Sequence, residues 1–315
     1  MGNRPIDSTY PTKYKTLEMS KVLVTGGNGF IGRHLCAQLM TNGHEVIVYD
    51  RRKPPMEVSA FVEGDIRDAS AVAKAVEPCE VVFHLAGLLG TCYLGTVVGD
   101  AVDVNIHGAV NVFEAAKRSA AYVVNIGLNP EWLNAYMITK KAAMRLGCMY
   151  HQMFGTKIVT LEVTHVYGPS QPTGPYRKAI PTFIVKALQN EPLEVYGTGE
   201  RLMDCIYVDD AAHALRLAAE TPVVAGQVLR VSSGERISVA NLASKVRDLT
   251  GSTSEIRLAT MRSGEPAAIA PDESVEVEPH ARTVLNWKPQ IRLEEGLRKT
   301  IDFYRSASRK NGLDR

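Results

Sequence analysis

The sequence predicts an α/β fold, a doubly wound parallel sheet followed by a smaller C-terminal domain, and three observations carry that prediction. Strand-like apolar runs at 21–25, 45–49, 58–62, 80–85, 122–126 and 157–163 alternate with helical patterns at 30–42, 69–76, 100–119 and 132–154. Strands separated by helices of this length pair in parallel through right-handed crossovers, with helices on both faces. The first run enters a glycine turn, Lys21-Val-Leu-Val-Thr-Gly-Gly-Asn-Gly-Phe-Ile-Gly32, and a helical pattern (Ile31, Leu35, Leu39) leaves it. Beyond about residue 166 the character changes, because 167–176 hold two glycines and three prolines, a loop leaving the sheet.

The glycine turn has the order that a dinucleotide pyrophosphate requires. Gly26 permits the tight turn, Gly29 lets the backbone approach the phosphates, and Gly32 lets helix and strand pack closely. Phe30 and Ile31 then open a helix whose N-terminus faces the negative charge. Asp50 ends the next apolar run, Glu45-Val-Ile-Val-Tyr-Asp50, where a carboxylate can hold ribose hydroxyls. Asp50 favours NAD, since it repels a 2′-phosphate, while the neighbouring Arg51 works in the other direction, toward NADP.

The second half is less regular. Signals at Ile180–Leu188, Leu193–Tyr196 and Leu202–Val208 mark short elements, and Leu293, Leu297, Ile301 and Tyr304 form an amphipathic stripe over 293–306. The expected organisation is an N-terminal extension over 1–20 and a nucleotide-binding domain over 21–166. Residues 167–315 then form mainly a substrate-binding domain, with a segment near 205–235 returning to the sheet.

Composition bounds the partners. With 45% hydrophobic and 22% charged residues and a net charge of +2, nothing argues for nucleic acid or an anionic membrane. Five cysteines, at 36, 79, 92, 148 and 205, have neither paired nor metal-ligand spacing and read as reduced thiols of a cytoplasmic protein. No apolar run approaches the ~18 residues of a membrane span. Residues 1–20 lack the apolar centre of a signal peptide.

Later motifs narrow the reading. The turn resembles that of the short-chain dehydrogenase/reductase superfamily, and Tyr136-Met-Ile-Thr-Lys140 matches its Tyr-x-x-x-Lys. His165-Val-Tyr-Gly-Pro169, Tyr196-Gly-Thr-Gly199 with Asp204-Cys-Ile-Tyr-Val-Asp-Asp210, Arg262-Ser-Gly-Glu-Pro266 and Leu285-Asn-Trp-Lys-Pro289 resemble blocks of the extended, nucleotide-sugar-modifying branch. The resemblance spans about 20–305. It implies a Rossmann-type domain, bound NAD, a nucleotide diphosphate sugar as substrate, and a homodimer formed through the helices at 100–119 and 132–154.

Tyr136 and Lys140 are four apart, so a helix presents them on one face. There a lysine ammonium lowers the tyrosine pKa, and the tyrosine moves a proton on or off a sugar hydroxyl; the plainer alternative is an amphipathic helix with an incidental Tyr and Lys. The resemblance implies further cofactor contacts at Asp65, Ile66, Leu85, Ala86, Gly87 and Asn105. It also implies a diphosphate clamp at Arg262. Where relatives carry an arginine the chain has Met203, so Arg201 is the second, weaker candidate. His165 stands where relatives have Asn and is either a substrate ligand or a packed histidine.

The chain also departs from the family. Relatives place Ser or Thr after the fifth strand, whereas Val123-Val-Asn-Ile-Gly-Leu-Asn-Pro130 offers neither. Asn125, or a backbone N–H near Gly127, is the expected substitute donor, and a serine at Gly127 is expected to restore the usual relay. The acidic pair of sugar dehydratases is missing, with Glu131 the one nearby acid. The expected function is NAD-dependent epimerisation of a nucleotide diphosphate sugar through a transient ketone. A dehydratase or reductase is the alternative among enzymes, and a catalytically weak nucleotide-binding or regulatory protein the alternative of another class.

Overall fold

The computed structural model describes residues 19–128, 132–174, 176, 178–262, 265 and 280–310. Most of the 1–20 extension, Glu131 and part of the 262–266 motif therefore lie outside the described residues.

Seven parallel strands make the central sheet: β1 (Lys21–Thr25), β2 (Glu45–Asp50), β3 (Ala60–Glu63), β4 (Val81–His84), β5 (Tyr122–Gly127), β6 (Ile158–Val163) and, from later in the chain, Val228–Val231. Their spatial order starts at Val228–Val231 and continues β6-β5-β4-β1-β2-β3. Strand order reverses between β1 and β4, the switch point where a doubly wound sheet opens a crevice at its strand ends. Helices α1 (Phe30–Thr41), α2 (Ala69–Val76), α3 (Val98–Val102), α4 (Gly108–Ser119) and α5 (Ala135–Phe154) form the crossovers. A π turn, Asp103–His107, joins α3 to α4, so the single helix expected over 100–119 is interrupted.

Beyond β6 come β7 (His165–Tyr167), α6 (Ala179–Leu188), β8 (Leu193–Tyr196), β9 (Leu202–Tyr207), α7 (Val208–Ala219), β10 (the returning Val228–Val231), β11 (Arg236–Ser238), α8 (Val239–Thr250), β12 (Ile256–Ala259), α9 (His280–Val284) and α10 (Leu293–Lys310). The returning part is α7 and β10, because α7 packs beside α1 and β10 pairs with β6. β9 stays outside, in a small sheet ordered β11-β9-β7.

Each layer buries its own apolar set. Val22, Val24, Phe83 and Val124 face α1 and α7, and Leu23, Val82 and Val123 face α4 and α5. A separate core holds Phe183, Ile184, Val195, Leu242, Leu297 and Ile301, so the smaller domain has its own hydrophobic centre. Two aspartates of the 204–210 block clasp it to the sheet. Asp204 accepts from the Ser233 and Gly234 backbone N–H groups at 2.7 and 2.9 Å. Asp210 accepts from those of Gln290 and Ile291 at 2.9 and 3.0 Å.

Candidate active site

The glycine turn sits at the end of β1, and its geometry explains each glycine. Gly26 has φ +71, and a Cβ there would lie 2.7 Å from the Ala86 backbone nitrogen. A Cβ on Gly32 would lie 2.3 Å from the Gly26 carbonyl oxygen. Only hydrogen fits at either position. Gly29, the residue before α1, differs: its backbone is extended (φ -70, ψ 174), and a Cβ would meet just the Gly26 carbonyl, at 3.0 Å. What Gly29 keeps clear is the space beyond the turn. No side chain caps α1 and its first turn holds no acid, so the N–H groups of Phe30, Ile31 and Gly32 remain to bind an anion.

Asp50 stands at the tip of β2, beside this turn. It accepts from the Asn28 N–H at 3.1 Å and the Arg52 N–H at 3.2 Å, which fixes the carboxylate at the crevice edge. Arg51 is exposed immediately after it. Leu85 and Ala86 donate their N–H groups to the Thr25 carbonyl and hydroxyl oxygens, respectively, which carries the chain after β4 across the turn toward Gly87.

Three of the expected cofactor residues are engaged elsewhere through their side chains. Asp65 is paired with Arg67 at 2.7 Å, and that guanidinium holds its carboxyl below the usual range. Ile66 is buried, filling the space above Gly108. The Asn105 amide accepts from Leu88 N–H at 2.8 Å and donates to the Leu88 carbonyl and Thr139 Oγ1. Asn105 thus steadies the loop after β4 from the π turn.

α5 starts at Asn134, whose side chain accepts from Met137 N–H. That cap aims the first turn of α5 at the crevice and buries Tyr136 and Lys140, each 6% exposed. Tyr136 packs in a small cluster with Leu94, Ala101 and Met137. Burial raises its pKa, and the nearby Tyr176 phenol adds to the rise. Burial lowers Lys140 to about 8. Burial therefore works against the expected lowering of Tyr136 by Lys140.

The expectation for Asn125 is also corrected. Thr25, His84, Asn125 and Thr160 occupy matching positions on four adjacent strands, a buried polar row on the face covered by α4 and α5. Asn125 is fully buried there and donates to Thr160 Oγ1 at 3.2 Å. Packing beneath α4 and α5 encloses it there. His84 bonds Thr25 Oγ1 at 2.9 Å, and burial, aided by the Lys140 charge, lowers it to about 3.

Gly127 would host the missing hydroxyl only if packed side chains moved aside. A Cβ there would lie 2.5 Å from Met144 Sδ and 2.9 Å from Thr160 Cγ2, so a serine would be driven into packed side chains. The next N–H, of Leu128, is directed to Met144 Sδ at 3.3 Å. The Leu128 side chain packs on the Tyr136 cluster.

Across the crevice the smaller domain contributes cations. Arg201 stacks on Trp132, 4.8 Å from the ring centre, and Arg262 stacks on Tyr196 at 4.8 Å, each guanidinium being held flat by an aromatic face. Arg262 is ion-paired with Glu265, yet its Nε is buried with no hydrogen-bond partner among the described residues. Lys178, unforeseen in the sequence, places its ammonium 5.6 Å from the centre of the Tyr136 ring. His165 lies within reach of these charges. Its Nδ1 is 3.3 Å from the Asp204 carbonyl, and burial, with Arg201 adding to it, lowers it to about 4. It is a neutral, partly buried histidine.

The sequence model of the NAD dependent epimerase/dehydratase family matches residues 22–232. A UDP-N-acetyl-alpha-D-glucosaminuronate decarboxylase of Bacillus cytotoxicus is 28% identical, covering 90% of this chain and 98% of the relative. The UDP-glucose 4-epimerase of Thermus thermophilus, solved in complex with NAD, superposes with a TM-score of 0.81 at 25% identity, over 91% of this chain and 99% of that one. The UDP-glucuronic acid 4-epimerase of Bacillus cereus, solved with UDP-glucuronic acid and NAD, has a TM-score of 0.81 at 26% identity, with the same coverage.

Proposed function

Because this chain belongs to the NAD dependent epimerase/dehydratase family, we propose that it is an NAD-dependent enzyme that epimerises a nucleotide diphosphate sugar through a transient ketone. The observation that carries this reading is the Tyr136 and Lys140 pair buried one helical turn apart on α5, with Arg201 over Trp132 just before that helix. The residues fit the cofactor. The Gly26–Gly32 turn is a cradle that a Cβ would fill, the first turn of α1 is uncapped, and Asp50, a carboxylate able to hold ribose hydroxyls, is fixed beside that turn by the Asn28 N–H. The two superposed epimerases were solved with NAD.

When bound, NAD supplies a hydride acceptor that becomes the donor for the return step. The chain's own residues do the rest. Tyr136 takes the proton of the reacting hydroxyl at its phenolic oxygen during oxidation and returns it during reduction. Lys140 holds the nicotinamide ribose and offsets negative charge on that oxygen. Arg262, with an unpaired buried Nε, and Arg201 clamp the diphosphate, a task suited to planar guanidinium groups.

The test is conversion of a panel of nucleotide sugars deuterated at each ring carbon. Epimerisation keeps the label on the sugar, with a changed configuration at one carbon. Label in free NADH would mean net oxidation, and loss of water or carbon dioxide would mean elimination or decarboxylation. Absence of any conversion would leave a nucleotide-binding protein and sink the proposal.

The same reading makes the protein a cytoplasmic homodimer. All five cysteines are free thiols, and among the described residues no helix is long and apolar enough to cross a membrane. α3 and α5 leave Val98, Ile138 and Met153 at 51%, 52% and 68% exposure, apolar surface suited to an isologous contact with a second copy. Sedimentation at micromolar concentration should report a dimer; a stable monomer overturns the assignment.

A further inference from the structure

Lys178 has no part in the reading above, although it reaches the site more directly than either arginine. It comes from the loop between β7 and α6, immediately before Ala179, so its backbone is anchored by the start of a helix. Its Nζ is 5.6 Å from the centre of the Tyr136 ring. Among the described residues its ammonium makes no hydrogen bond or ion pair. The nearest acid, Glu265, is already held by Arg262. Desolvation lowers its pKa, and the charge of Arg262 lowers it further. Lys178 is partly buried, and an ammonium partly withdrawn from water without an anion is costly to keep, a cost offset when a ligand supplies the acceptor.

The other half of the argument is what faces Tyr136 from the sheet. The side-chain direction of Gly127 is sealed by Met144 and Thr160. Leu128 spends its N–H on Met144 and its side chain on the apolar cluster around Tyr136. Asn125, on the same face as Gly127, is fully buried and bonded to Thr160. Among the described residues, then, β5 and Leu128 offer no free side-chain donor to an oxygen bound at Tyr136, while the smaller domain brings a cation to the ring.

We propose that Lys178 is a catalytic residue, the second hydrogen-bond donor to the sugar oxygen on which Tyr136 acts. The ammonium is placed 5.6 Å from the ring centre, and the flexible lysine stem lets it approach an oxygen bound ~2.8 Å from the phenolic oxygen. During oxidation that oxygen passes its proton to the ionised oxygen of Tyr136, and the hydrogen on its carbon leaves as hydride to the nicotinamide. Lys178 keeps all its protons. Its N–H holds the oxygen in place and meets the negative charge that builds there, so no further reactant is needed. A donor of this kind acts on the transition state more than on binding.

This inference rests on the NAD-dependent reading, and the experiment separates the two. The NAD-loaded protein and its Lys178→Met, Lys178→Arg and Arg262→Ala variants are compared in kcat and KM for the nucleotide sugar that is converted. Their Kd for UDP, which has the diphosphate without the sugar, is measured alongside. Lys178→Met should lower kcat on the order of 10²-fold and leave the UDP Kd within about twofold, with Lys178→Arg recovering part of the loss. Arg262→Ala should show the opposite split, weakening UDP by more than about tenfold. Thermal melting and NAD binding check the fold, and Lys178→Gln replaces the methionine variant if that one does not fold. An unchanged kcat in Lys178→Met overturns the proposal. So does a loss of UDP affinity equal to that of Arg262→Ala, which would assign Lys178 to the diphosphate. If the unmodified protein converts no nucleotide sugar, the preceding reading fails and takes this one with it.

Discussion

Tyr136→Phe should lower turnover by roughly 10²–10⁴-fold, the usual share of general acid–base catalysis, while the protein stays folded and keeps its cofactor. The substitution removes one oxygen from a side chain whose ring is packed with Leu94, Ala101 and Met137. Its phenolic oxygen has no hydrogen-bond partner among the described residues, so the fold loses little when it goes. Initial rates on the converted nucleotide sugar, read beside the melting temperature with and without NAD, test this. Near-normal turnover would move the proton to another group. His165 is the nearest alternative base, but its Nδ1 is tied to the Asp204 carbonyl and burial keeps it neutral down to about pH 4.

The second large effect is loss of NAD from Gly29→Val. Gly29 already has a backbone conformation open to other residues. The added Cβ would meet only the Gly26 carbonyl, at 3.0 Å, so the turn must give by a few tenths of an ångström. The valine would stand at the uncapped start of α1, the proposed site of the pyrophosphate. Calorimetry should find NAD binding abolished with the melting transition of the free protein largely kept. Unchanged affinity would refute the turn as the pyrophosphate site. Gly32→Val is the instructive contrast: its Cβ would lie 2.3 Å from the Gly26 carbonyl and 2.8 Å from Gly27 Cα. That variant should lose stability as well as cofactor.

Much of this molecule was legible as a string of residues because the relevant physics is local. The six N-terminal strand signals all fall on strands of the parallel sheet, since strands largely buried on both faces read as near-continuous apolar runs and of these only the edge strand β3 is half exposed. The glycine turn was legible because positive φ and close backbone approach admit only hydrogen at Gly26 and Gly32. Tyr136 and Lys140 share a face because helical spacing dictates it. The interruption of the helix expected over 100–119 by a π turn was not legible, because that turn is held by Asn105 reaching Leu88 and Thr139 across space.

The site shows the same division. Local sequence determined that a nucleotide turn exists, that a tyrosine and lysine stand one helical turn apart, and that no Ser or Thr follows β5. Only the tertiary structure decided which of the remaining candidates reach the crevice. Asn125, close to the site in sequence, is enclosed by packing beneath α4 and α5. Lys178 is forty-two residues from Tyr136 in the chain, and no periodicity links them. The path of the loop between β7 and α6 brings its ammonium to 5.6 Å from that ring, and contacts between domains of this kind are set by packing rather than by local spacing.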